Sequence, residues 1–165
     1  MSVSRDIPRA WIRPRRVMAE HIARGTGDSE AFIFLMAGCL MVFVSRLPAL
    51  SRDAFLTGAD FMVAMGGALM ALVFLLPLVM LAVAYLAHLV AKALRAPGRA
   101  EGARVATSWA LLAASPAMLL NGLTEGFIGA GSALDLVGLF ALGGFIWIWV
   151  NSLYVAEWER EITNA

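Results

Sequence analysis

Charge-free runs divide the chain. Asp, Glu, Lys and Arg are absent from Ala31 to Ser45, from Phe61 to Ala91, from Val105 to Thr124 and from Leu136 to Ala156. An α-helix rises about 1.5 Å per residue, so roughly 20 apolar residues cross about 30 Å of hydrocarbon. Leu47-Pro48-Ala49 extends the first run past Arg46, whose side chain is long enough to snorkel. The pattern predicts an all-α integral membrane protein. It is a four-span helical bundle with spans at about 31–49, 60–92, 104–125 and 135–157. The breaks between runs hold Pro, Gly, Ser and charge, as connections do.

The longest run contains Pro77. Split there, its halves would reach only about 24 and 21 Å, and a hairpin would strand backbone groups in lipid. The reading is therefore one long helix kinked at Pro77.

Residues 1–30 form a polar, basic lead ahead of the first span, longer than the lead of a cleaved signal peptide. The first span is read as an uncleaved anchor. Pro14 is suited to open a helix. At 100° per residue, Val17, Met18, His21 and Ile22 fall on one side and Arg16, Glu20 and Arg24 on the other. This predicts an N-terminal interfacial amphipathic helix, with Trp11, Arg15, Arg16 and Arg24 at the membrane surface. Trp147, Trp149, Tyr154 and Trp158 crowd the end of the last span, where aromatic side chains meet headgroups. Residues 158–165 are a short tail. Met36-Ala37-Gly38-Cys39 has the look of a lipoprotein cleavage box, but the apolar run continues past Cys39. It reads as a small-residue packing patch with a buried thiol.

Composition agrees with the spans: 61% of the 165 residues are hydrophobic and 15% charged, with a mean hydropathy of +0.78. Soluble domains run near 45–50% apolar and 25% charged. The net charge of +1 gives no global attraction to nucleic acid. One cysteine excludes an internal disulfide framework and a cysteine-built zinc site.

Charge position orients the bundle. With four spans, eleven of the thirteen Lys and Arg fall on the side shared by both termini and the 92–104 connection; only Arg46 and Arg52 lie on the other. By the positive-inside rule both termini are cytoplasmic. Twelve Arg against one Lys is the usage of a GC-rich bacterial genome, so the expected location is a bacterial inner membrane.

The sequence shows no phosphate-cradling loop, no metal-ligand spacing and no nucleophile with its base. It predicts no enzyme, no metal and no cofactor. Polar residues within spans are the default functional candidates. His88 lies one turn before Lys92; it reads as a histidine paired with a neighbouring helix or as a proton-handling group. Asn121 and Glu125 share a helix face, four residues apart. They read as a wet helix end or as a contact for a cation or partner. Gly67, with Ala64, Ala68 and Ala71, makes a small face on the second span. Gly122 and Gly126 form a GxxxG on the third, and Gly143 and Gly144 notch the fourth. Such faces let helices approach closely.

Pro14-Arg15-Arg16-Val17-Met18 precedes the first span, and Gly102-Ala103-Arg104 leads into the proline-centred Ala110-Leu111-Leu112-Ala113-Ala114-Ser115-Pro116. Over about residues 14–157 this layout resembles the Yip (Ypt/Rab-interacting) family of multi-pass membrane proteins, in its bacterial form. The resemblance implies a helical membrane organiser; its eukaryotic members contact small GTPases and are usually described with five spans, where the charges here give four. The expected function is a non-catalytic accessory or organising protein that packs against a larger membrane complex or itself. The alternative is a small ion or lipid transporter or channel subunit. The expected partners are membrane lipids and a membrane protein or second copy.

Overall fold

A computed structural model describes residues 3–159, which form six helices and no strand. Two short ones, α1 (Val3–Ile12) and α2 (Pro14–Ala23), make a hairpin. Four long ones follow: α3 (Asp28–Thr57), α4 (Phe61–Ala93), α5 (Ala100–Phe127) and α6 (Ser132–Glu159). Each of the four is long and apolar enough to cross a membrane, so this is a multi-pass membrane protein.

α5 is the axis of the bundle. It is buried almost continuously from Gly102 to Ser115 and packs chiefly against α3 and α6. Its Ala and Gly content explains this position, because small side chains let two neighbours approach one backbone. A Cβ at Gly122 would overlap the Ser45 backbone of α3, and one at Gly126 would overlap Pro48. Gly38 of α3 faces Leu111 and Leu112 from the other side, and Cys39 beside it is fully buried.

α3 runs eight residues beyond its expected end. Pro48 interrupts the backbone ladder but lies inside the helix, its ring seated against Gly126. The helix ends at Gly58, whose φ of +71° a side chain would strain. Asp60 then caps α4, its carboxylate accepting from the backbone N–H of Met62 and Val63.

α4 is one continuous helix, with a wide π turn at Met70–Leu75 just before Pro77. Proline has no N–H to offer the preceding turn, and a π turn redistributes the orphaned carbonyls without breaking the helix.

Two ion pairs between α3 and α5 bracket the apolar zone: Asp28 with Arg104 at 2.7 Å, and Arg46 with Glu125. Counted along the helices, they stand about 27 Å apart on α3 and about 32 Å on α5. Those lengths match the hydrocarbon layer of about 30 Å.

Candidate functional site

Polar side chains gather at three levels. At the end of the bundle that carries the hairpin, His88 of α4 meets Glu157 in the last turn of α6, Nδ1 to Oε1 at 2.8 Å. Both are buried, Glu157 completely. The 94–99 connection closes over them. The Gly98 N–H donates to the Glu157 carbonyl at 2.9 Å, and a Cβ on Gly98 would overlap Glu157. The paired reading of His88 therefore acquires a partner that hydropathy did not reveal, since a glutamate at the end of a span looks solvated. The second carboxylate oxygen of Glu157 has no hydrogen-bond partner among the described residues.

At the opposite end, Glu125 is held by Arg46. Arg52 reaches the carbonyls of Gly126 and Phe127 at 3.2 Å, completing a polar seam between α3 and α5. Glu125 is thus one half of an ion pair that stays partly open, its side chain 25% and that of Arg46 42% exposed. Asn121, one turn away, has a buried side-chain oxygen without a hydrogen-bond partner among the described residues, facing Gly138 of α6. Asn121 and Glu125 share a helix but are not joined by any hydrogen bond, and neither lies near His88.

The third level is the N-terminal hairpin. On the predicted apolar face Val17, Met18 and His21 are buried and Ile22 is half-buried; on the predicted polar face Arg16 and Arg24 are exposed and Glu20 is half-buried. What covers the apolar face is protein. Val17 packs with Trp109, Ala110 and Ile148, and Met18 with Val105, Ala106 and Val155. The Arg9–Glu20 ion pair at 2.7 Å ties the two helices, and each partner has a second contact on its own helix, Arg9 with Asp6 at 3.0 Å and Glu20 with Arg16 at 3.4 Å. These contacts hold the Glu20 carboxyl below its usual range and the Arg9 guanidinium above its own. Asp6, 1% exposed, sits beneath them.

Trp11 corrects the sequence reading. It is not a surface anchor. Its indole N–H donates to the Ala113 carbonyl of α5 at 2.9 Å, its ring stacks on Phe140, and its edge fills the notch at Gly144. Ala113 lies nine residues from Arg104, about 14 Å into the apolar zone. An indole between headgroups and lipid would satisfy its N–H with water; here a helix carbonyl takes that place. Arg15 remains at the rim, its Nε donating to Asn151 and its guanidinium 4.6 Å over Tyr154, which stacks on Trp158. Trp147 is exposed on the lipid-facing side of α6. Trp149 turns inward and donates to the Thr107 hydroxyl at 3.0 Å. Arg24 reaches back to His21 and Asp6.

Two of the glycines expected at helix contacts have none. A Cβ on Gly67 or Gly143 would meet no atom within 4 Å, whereas Gly122, Gly126 and Gly144 are each closed by a neighbour. Gly143 and Gly144 differ by 100° of helix rotation, and only the second faces the bundle. Among the described residues no group of three or more His, Cys, Asp and Glu is arranged to hold a metal ion. No family model matches the chain, and no curated protein or solved structure matches it significantly.

Proposed function

We propose that this chain is a non-catalytic accessory or organising protein of a bacterial inner membrane, with both termini cytoplasmic. It packs against a larger membrane complex, or a second copy, through the first half of α4. The supporting observation is the state of that half-helix. No residue from Phe61 to Leu75 is buried, and Gly66 and Gly67 stand open. Gly122, Gly126 and Gly144 are each filled by a neighbour, whereas Gly66 and Gly67, like Gly143 on α6, are not. Small residues open to lipid are the kind of face on which another helix seats without a hydrophobic driving force. The charge asymmetry supports the orientation, and the Yip resemblance points the same way.

The test is purification from native membranes in mild detergent, with mass spectrometry of the co-migrating species. A stoichiometric partner or a dimer is expected, lost in Gly67→Leu while the protein stays folded. A monodisperse monomer from both proteins would refute the reading. A reporter fused after Arg99 is expected on the cytoplasmic side.

The transporter alternative draws on the unpaired oxygen of Asn121 and the His88–Glu157 pair. The α5 interior between their levels is lined by Leu111, Leu112, Ala113 and Ala114, which favours the packing role.

A further inference from the structure

A cavity of about 280 Å³ opens where the hairpin meets the start of α3. His21, Arg24, Thr26 and Glu30 supply its polar wall, and Ile33 and Phe34 its apolar one. Glu30, Ile33 and Phe34 follow Asp28 by two to six residues, about 3 to 9 Å along α3. The cavity therefore sits where headgroup gives way to acyl chain. Ile33 is exposed and continues the wall toward lipid.

The chemistry of the wall is divided. Arg24 Nη2 lies 3.2 Å from His21 Nδ1. A guanidinium only donates, so Nδ1 accepts and the ring proton is on Nε2. That Nε2 is buried and has no hydrogen-bond partner among the described residues, and His21 is only 2% exposed. Burial, and then the Arg24 charge, push the His21 pKa down to about 4, so the ring is a neutral donor at physiological pH. A buried donor without an acceptor is a penalty that a ligand oxygen would relieve. Glu30 offers the opposite polarity, an exposed carboxylate with no ion pair to a basic side chain among the described residues. The carboxylates of Glu30 and Asp6 oppose a purely anionic guest. The donors of His21 and Arg24 would go unused with a simple amine.

The geometry points to a binding site for a zwitterionic phospholipid with a primary ammonium, a diacyl glycerophosphoethanolamine. Its phosphate oxygens accept from His21 Nε2, Arg24 and the Thr26 hydroxyl. Its ammonium donates to Glu30, and an acyl chain leaves along Ile33. A quaternary choline headgroup has no N–H to give Glu30, so the site discriminates between the two zwitterions.

Native mass spectrometry of the delipidated full chain tests this, with phosphatidylethanolamine, phosphatidylcholine and phosphatidylglycerol of identical acyl chains. The ethanolamine lipid is expected to be retained about ten-fold better than either, the worth of one charge-assisted hydrogen bond. Glu30→Gln is expected to erase the preference over choline. His21→Phe keeps the ring packing and is expected to weaken retention of both zwitterions. Equal retention of the three lipids, or a preference unchanged by Glu30→Gln, overturns the proposal. So does displacement by soluble phosphoethanolamine at equal concentration, which would assign the cavity to a free compound. Glu30 is exposed on the first turn of α3, so its variant decides the matter even if His21→Phe does not fold.

Discussion

His88 and Glu157 stand 69 residues apart in sequence and share a hydrogen bond of 2.8 Å, with Glu157 fully buried and His88 nearly so. The pair ties α4, otherwise loosely attached, to the end of α6. His88→Leu is expected to cost about 2–3 kcal/mol, because it leaves a buried carboxyl group without its donor. The double variant His88→Leu, Glu157→Leu should cost less than the two single changes together. Thermal unfolding of the four proteins in one detergent measures the coupling, and strictly additive losses would show that the contact contributes nothing.

Glycines of the same type have unequal weight here. Gly122→Ala pushes a methyl group into the Ser45 backbone and is expected to destabilise by about 1–3 kcal/mol. Gly67→Ala meets open space, and its effect on the isolated chain should stay within about 0.5 kcal/mol. Unfolding midpoints of the two variants check the ordering directly; equal losses would contradict the packing described.

Trp11→Ala removes both the bond to the Ala113 carbonyl and the filling of the Gly144 notch. A loss of about 3 kcal/mol is expected, concentrated in the hairpin. Limited proteolysis reads this locally: cleavage at Arg13, Arg15 and Arg16 should accelerate while the four long helices remain intact. Unchanged cleavage would mean that the hairpin is held mainly by its α2 contacts.

Acid should loosen the same hairpin. The buried His21 has a pKa near 4, below the 6.5 of a free imidazole. The unfolded chain therefore takes up a proton first as pH falls. The His21 contribution is intact above pH 6.5 and is lost between about 6.5 and 4, at no more than about 1.4 kcal/mol per pH unit. Arg24 on the same helix turn opposes protonation, while Asp6 of α1, Glu30 of α3 and Glu20 favour it. Proteolytic opening of the hairpin across this range is the measurement, and His21→Phe is expected to flatten it.

The four long helices were legible because lipid imposes one requirement, an unbroken apolar run, that sequence states openly. The short reach of its two halves and the charge asymmetry favoured one helix across Pro77, and the structure has one from Phe61 to Ala93. The contacts were legible only where a single helix contains the answer. The apolar face of α2 could be drawn from its periodicity, but periodicity does not say whether lipid or α5 covers it. Glu157 carries no local signal of burial, because its partner arrives from α4 and its lid from the Gly98 connection. Trp11 sits among arginines and reads as interfacial; the carbonyl and glycine notch that receive it lie more than 100 residues away.

The π turn at Met70–Leu75 accommodates an extra residue, and that changes the phase of the helix on its two sides. Beyond it, Pro77, Ala84, His88 and Ala91 keep one face on the bundle; before it, no residue is buried. A π turn closes on i→i+5 bonds and spends one residue more than an α turn, so removing one residue from it would restore an ordinary α-helical repeat while Phe61–Leu69 keeps its bearing. The His88 half would stay in place. A single-codon deletion in this stretch therefore removes the wide turn without redirecting Gly66 and Gly67, and separates the need for the turn itself from the surface that it carries.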